Sequence, residues 1–219
     1  MMKFSEETMR ILKNFSEIKP NILFKPGNEI RTMSKSKTVM AKAKLNETIE
    51  KEAGVFDLSR FISAVTMFSE TPDIQFKDKY FDIKANHSSI KYKYGDKTML
   101  GHLPPDRDIP INDDDVLVVF NLSWENIQSI TRAASILQSK HIFFVLDGEN
   151  VKVTTGTNNK ASNTFELDVA KEQTQRFSKY IKFEFLKLIP ADYTVTVTDG
   201  FVHFKTNNVE YWIAYEEDD

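Results

Sequence analysis

Three short stretches of the chain return after one fixed interval. Gly27 sits in KPGNEIR and Gly148 in LDGENVK, an offset of 148 − 27 = 121. The same offset carries Asp78-Lys79-Tyr80-Phe81 onto Asp199-Gly200-Phe201-Val202, and Lys84-Ala85-Asn86 onto Lys205-Thr206-Asn207. Identities are few; what recurs is the order of helix, hairpin, strand, second helix and strands, with a shorter second helix in the later copy. A period near ~120 residues is too long for a solenoid and defines two domains of one fold. In a chain of 219 residues, each half is long enough to bury a core of its own.

Within the first half, Phe4, Thr8, Ile11, Leu12, Phe15 and Ile18 fall on one stripe of a half-buried helix. A strand–turn–strand follows, with the turn expected at Pro26-Gly27-Asn28, where Gly or Asn accepts a positive φ. Thr38–Lys44 alternates as a strand. A second helix is expected near Asp57–Phe68, with Asp57 as its N-cap and Leu58, Phe61, Ile62, Val65 and Phe68 inward. Asp73–Tyr94 supplies up to three short strands. Gly101–Asp115, with three prolines and a run of aspartates, favours neither helix nor central strand and reads as a connector. The domains are therefore expected at 1–108 and 109–219.

The second half opens with a strand at Val116–Asn121 and a helix from Ser123, whose inward stripe is Trp124, Ile127, Ile130, Ala134 and Leu137. His141–Val145 and Glu149–Thr155 form a hairpin about Asp147-Gly148. Another strand is expected at Thr164–Ala170, and a short helix at Lys182–Ile189, ended by Pro190. Three strands close the domain: Tyr193–Val197, Phe201–Lys205 and Val209–Tyr215. An acidic tail follows at Glu216–Asp219. The class is α+β: two tandem duplicated domains, each with two helices packed on antiparallel sheet.

Several functions are disfavoured. The chain has no cysteine, which removes disulfides, thiol catalysis and cysteine metal sites. Its four histidines, His87, His102, His141 and His203, lack metal-ligand spacing. Asp113-Asp114-Asp115 has no second carboxylate cluster to complete a cation site. Thr154-Thr155-Gly156-Thr157 has no Walker pattern, and no nucleophile–base–orienter set is present. No metal, cofactor or catalysis is expected, and no apolar run reaches the roughly 18 residues of a membrane span.

The polar helix faces carry the functional signal. Arg10 and Lys13 lie on the first, Arg60 on the second, Arg132 on the third with Lys140 just beyond, and Lys182 and Lys187 on the expected fourth. Acid is concentrated in the connector and the tail. Such faces are ordinary in a solvated protein. They also suit a surface that follows phosphates without reading bases, since aromatics for stacking and a recognition helix are both lacking. The net charge of −3 argues against a tight electrostatic grip. Binding of this kind is weak and salt-sensitive, so something other than affinity has to keep the protein on DNA.

The opening MKFSEETMRILKNFSEI, the stretch LFKPGNEIR and the helix FDLSRFISAVTMF resemble the sliding clamps of T-even-type tailed phages. Leu12–Phe15 and the Asp-Leu-x-x-Phe of Asp57–Phe61 are the closest stretches, and the N-terminal domain carries most of the likeness. In the second half it lies in SWENIQSITRAASILQ and the final hairpin. The resemblance implies the DNA-clamp fold in a homotrimeric ring around duplex DNA, with the helices lining the hole and the sheets outside. It implies a DNA polymerase processivity factor, loaded by a clamp-loader ATPase in the cytoplasm of the infected bacterial host. Some relatives also activate late phage transcription, which adds late-transcription factors to the implied partners. The helix cations would face DNA, and partner peptides would dock at Met40, Leu103, Ile109, Ile111, Trp212 and Tyr215. A non-ring duplicated assembly module, such as a virion structural protein, stays open as the alternative.

Overall fold

The computed structural model describes residues 2–156, 163–172 and 176–215. These form two compact units, Met1–Asp106 and Arg107–Asp219. Thr157, the last residue of the stretch that lacks a Walker pattern, and the acidic tail Glu216–Asp219 lie outside the described residues.

The first unit begins with helix α1 (Glu6–Ile18). Its stripe is as the spacing predicts, with Thr8, Ile11, Leu12 and Phe15 buried and Ile18 half-buried. Ser5 caps it, accepting from the Thr8 N–H at 3.2 Å. A carboxylate from a distant strand completes the cap. Glu47 accepts the Ser5 N–H through Oε1 and the Thr8 hydroxyl through Oε2, both at 2.5 Å. An N-terminus with orphan N–H groups and a positive dipole end is where an acid is most useful.

Strands β1 (Ile22–Phe24), β2 (Gly27–Met33), β3 (Val39–Ile49) and β4 (Ala53–Val55) follow. The expected hairpin at Pro26-Gly27 is not formed. β1 pairs with β4, and β2 pairs with β3, both antiparallel. Pro26, which lacks an N–H, and Gly27, at φ 116°, turn the chain out of one ladder into the other. Helix α2 (Leu58–Thr66) buries Leu58, Phe61, Ile62 and Val65, and Asp57 caps it by accepting from the Arg60 N–H at 2.9 Å. Strands β5 (Asp73–Phe76), β6 (Tyr80–Ala85) and β7 (Ser88–Lys93) make an antiparallel sheet. Met2 bridges to Ile74 of β5. The core between helices and strands is aromatic: the Phe81 ring lies 4.7 Å from Phe61, 4.9 Å from Phe76 and 4.7 Å from Tyr94, in the tilted and edge-on arrangements rings prefer.

The second unit repeats this plan. Strand β8 (Val116–Leu122) leads into α3 (Trp124–Ile136), which is capped by Ser123. Asp192 takes the place of Glu47 as the outside carboxylate, accepting from the Trp124 N–H at 2.7 Å. Strands β9 (His141–Asp147), β10 (Asn150–Gly156), β11 (Phe165–Lys171) and β12 (Phe177–Lys182) are ordered β11-β10-β9-β12. This is the first unit's arrangement of β3-β2 and β1-β4 without the break. Strands β13 (Tyr193–Thr198), β14 (Phe201–Lys205) and β15 (Val209–Ala214) correspond to β5, β6 and β7. β8 pairs with β13 where Met2 bridges to β5. All three recurring stretches therefore fall at equivalent junctions of the two units.

The fourth helix is a correction. In place of a helix over Lys182–Ile189, β12 runs through Lys182, a single 3-10 turn occupies Phe183–Phe185, and Leu188 and Ile189 are buried outside any helix or strand. Tyr180, Ile181 and Phe183 favour strand geometry, and the ladder with β9, through Tyr180↔Phe143 and Lys182↔His141, takes up the residues a first turn needs. Among the described residues, two α-helices therefore lie in the first unit and one in the second. No helix among the described residues is long and apolar enough to cross a membrane.

Candidate nucleic-acid interface and partner surface

The amphipathic stripes that bury the helices leave Arg10 and Lys13 of α1, Arg60 of α2 and Arg132 of α3 exposed, with Lys140 exposed after α3. None of these five side chains has an ion-pair or hydrogen-bond partner among the described residues. Elsewhere cations are neutralised: Lys51 by Asp78, Lys97 by Glu52, Lys152 by Glu166. Unneutralised cations on rigid helices can attract phosphates without first breaking an internal pair.

The structure groups some of these residues and separates others. Arg10 and Lys13 line an open groove with the C-terminal end of α2, floored by Phe4, Val65 and Phe68. Arg60 lies at the other end of α2, beside its cap. In the second unit Lys140 and Lys182 share a hollow with Ser139 and His141. The β9–β12 ladder brings them together, because Lys182 pairs with His141 and the Phe183 N–H donates to the Lys140 carbonyl at 2.8 Å. Lys182 is half-buried with its ammonium 5.8 Å from the Phe185 ring, and Lys187 follows the 3-10 turn outside any helix or strand. Neither stands on a helix.

The apolar candidates also divide. Met40 and Trp212 are 3% and 2% exposed, so neither presents a surface to an incoming peptide. Met40 is paired with Met33 in the β2–β3 ladder, and Trp212 stacks on His203 at 4.8 Å. The Tyr215 phenol donates to the Thr198 carbonyl at 2.9 Å beneath Lys179. Burial with Asp199 nearby pushes it well above the ordinary tyrosine range. Leu103, Ile109 and Ile111 are half-exposed.

Sequence reasoning missed what fixes the start of the connector. Lys19, buried at the end of α1, donates to the His102 carbonyl, and burial lowers its pKa. Lys25 pairs with Asp106, and Arg31 donates to the Pro105 carbonyl at 3.3 Å. Leu23, Pro26, Leu103 and Pro104 wall a small groove there, with a cavity of about 130 Å3. No local pattern announces these contacts; the partners are more than seventy residues apart in sequence.

Among the described residues no cluster of three acidic or histidine side chains is placed to hold a metal.

This duplicated α+β arrangement is the fold of the ring-forming DNA clamps. The chain superposes on A. fulgidus PCNA, solved with the C-terminal region of FEN-1, with a TM-score of 0.72 at 14% identity, covering 99% of this chain and 98% of that one. It also superposes on the Streptococcus pneumoniae DNA polymerase III beta chain with a TM-score of 0.72 at 13% identity, spanning 64% of that longer protein. Residues 5–100 match the DNA polymerase processivity factor family. Sliding clamps of Vibrio phage KVP40, Escherichia phage RB69 and Enterobacteria phage T4 are 24%, 25% and 26% identical over 98–99% of this chain and 98–99% of theirs. Along nearly its whole length the chain is similar to the sliding clamps of T-even-type phages. Those matches favour the clamp over a virion assembly module.

Proposed function

We propose that three copies of this chain close a ring around duplex DNA and tether the replicative DNA polymerase for processive synthesis. The ring has no catalysis of its own. The observation that carries this reading is the similarity to phage sliding clamps across both units, over 98–99% of the chain. The unpartnered cations on α1, α2 and α3 support it: they suit a surface that follows phosphates loosely, while the topology of the ring supplies retention. A clamp-loader ATPase opens the ring, and late-transcription factors use the same platform, in the cytoplasm of the infected bacterial host. Arg10, Lys13, Arg60, Arg132 and Lys140, with Lys182 and Lys187 at the margin, face the DNA. Partners dock by short apolar segments, for which Leu103, Ile109 and Ile111 of the connector and Tyr215 of the C-terminal segment are the contacts. The domain boundary falls within that connector, with the two clamp domains at 1–108 and 109–219.

The test is retention on a nicked circle compared with the same DNA linearised after loading. The labelled protein stays on the circle and runs off free ends, and blocking both ends restores retention. Equal retention on circular and open linear DNA refutes the ring.

A further inference from the structure

One face of the second unit's sheet carries the stacking aromatics that the helices lack. Ile142, Phe144 and Ile181 are buried on the core side of β9 and β12, and alternation turns His141, Phe143, Tyr180 and Lys182 to the opposite side. Cross-strand pairing sets Tyr180 against Phe143 and Lys182 against His141. The three rings form one cluster: Tyr180 lies 4.8 Å from His141 and 5.5 Å from Phe143, and His141 lies 6.0 Å from Phe143. Phe143 is buried, while His141 and Tyr180 are half-exposed. On β10 the partner of His141 is Gly156, which has no side chain to lay over the imidazole. This strip runs into the hollow shared by Lys140 and Lys182, about 500 Å3 in volume, where Glu184 is the one carboxylate. A volume of that order is typical of a ligand site. The backbone around it is fixed: the Phe183 N–H donates to the Lys140 carbonyl, and the Ser139 hydroxyl donates to the His141 carbonyl, both at 2.8 Å.

We propose that this strip and hollow hold a single-stranded stretch of DNA, with bases stacked on Tyr180 and His141 and a phosphate between Lys140 and Lys182. Aromatic rings beside a cationic groove are the combination that binds single strands without sequence preference. A duplex can bring phosphates to the two lysines, but its bases are stacked inside it, so the rings favour an unpaired strand. An acidic peptide satisfies the lysines and makes no use of the half-exposed rings. The site is separate from the cations of α1, α2 and α3 and meets the duplex-facing surface only at its margin, through Lys140 and Lys182. It goes beyond the ring reading and does not require it.

The experiment is fluorescence anisotropy of the full-length protein at low salt with a short labelled oligo-dT, and with a hairpin duplex for comparison. Tyr180→Leu, which keeps an apolar side chain on the strand, weakens oligo-dT binding about fivefold or more, the least expected for losing one base stack, and leaves duplex binding unchanged. Tyr180→Phe keeps the ring and binds oligo-dT as the wild type does. Lys182→Gln lowers the logarithmic salt dependence of oligo-dT binding by about 0.7, the value of one phosphate contact on a single strand. Location is read without any substitution: an oligomer carrying 5-iodo-deoxyuridine, irradiated on the wild-type protein, leaves adducts on the peptides of Tyr180 or His141 in mass spectrometry. The proposal is overturned by an absence of oligo-dT binding up to about 100 µM, by equal losses of oligo-dT and duplex affinity in folded Tyr180→Leu, or by adducts confined to other peptides. Competition by polyglutamate as effective as that by unlabelled oligo-dT overturns it in favour of an acidic peptide. Retention on nicked circles is a separate measurement, and Tyr180→Leu leaves it intact, so failure here is distinct from failure of the ring.

Discussion

Glu47→Ala is the sharpest test of how strand β3 positions helix α1. The carboxylate accepts two hydrogen bonds at 2.5 Å, one from the Ser5 N–H and one from the Thr8 hydroxyl, which is fully buried. A hydrogen bond to a charged group contributes about 1.5–3 kcal/mol, and a buried donor left unpaired adds a desolvation cost. Thr8 keeps a weaker contact to Ser5 Oγ at 3.2 Å, and Ser5 Oγ is also held by Asn46 at 3.2 Å, so part of the cap survives. The expected loss is about 2–4 kcal/mol, a large share of the ~5–15 kcal/mol that holds a domain folded. Glu47→Gln keeps one acceptor oxygen and should lose roughly half as much. Urea denaturation followed by far-UV circular dichroism measures both, at constant m-value. A loss below about 0.5 kcal/mol for Glu47→Ala refutes the assigned coupling between α1 and β3, because the two charge-assisted bonds would then contribute less than a neutral surface pair.

Three further outcomes follow from the structure. Gly54→Ala would place its Cβ 2.6 Å from the Gly95 carbonyl oxygen, a backbone atom that cannot swing aside; the expected destabilisation is about 1–3 kcal/mol by thermal unfolding, typical of overpacking. Burial raises the Tyr94 phenol to about 12, and its hydroxyl donates to the Lys77 carbonyl at 2.8 Å. The folded state therefore holds this proton more tightly than an unfolded chain that titrates near ~10, so its contribution is complete below about pH 10 and is lost as pH rises toward ~12. Tyr94→Phe should flatten that alkaline loss, as read from urea midpoints at about pH 9 and 11.5. Replacing Arg10, Lys13 and Arg132 together by Gln should weaken DNA binding and flatten its logarithmic salt dependence by about 1 or more, since each lost phosphate contact removes about 0.9 from the slope. An unchanged slope with folded protein refutes the helix faces as the DNA contact.

What the sequence determined by itself was local or periodic. The stripe Thr8, Ile11, Leu12 and Phe15, the Asp57 cap and the turn at Asp147-Gly148 each need only residues a few positions apart, and each is where the pattern places it. The repeat at an offset of 121 survived because junction residues answer to backbone geometry, which both copies share. The tertiary structure decided everything that depends on a distant partner. Whether Ile22–Phe24 pairs with β2 or with β4 is settled by Pro26 and Gly27 in their three-dimensional setting. Phe177–Lys182 becomes a strand because β9 is there to receive it, and with that ladder Lys182 leaves its expected helix for a place beside Lys140. Met40 and Trp212 look like docking residues as apolar side chains in a sequence, but each lies in a strand stretch whose consecutive residues are all buried. Periodicity reports which face of an element is apolar; it carries no information about which neighbour covers that face. That is why Arg10 and Lys13 were legible on their helix, while the contacts of Lys19, Lys25 and Arg31 with the connector were not.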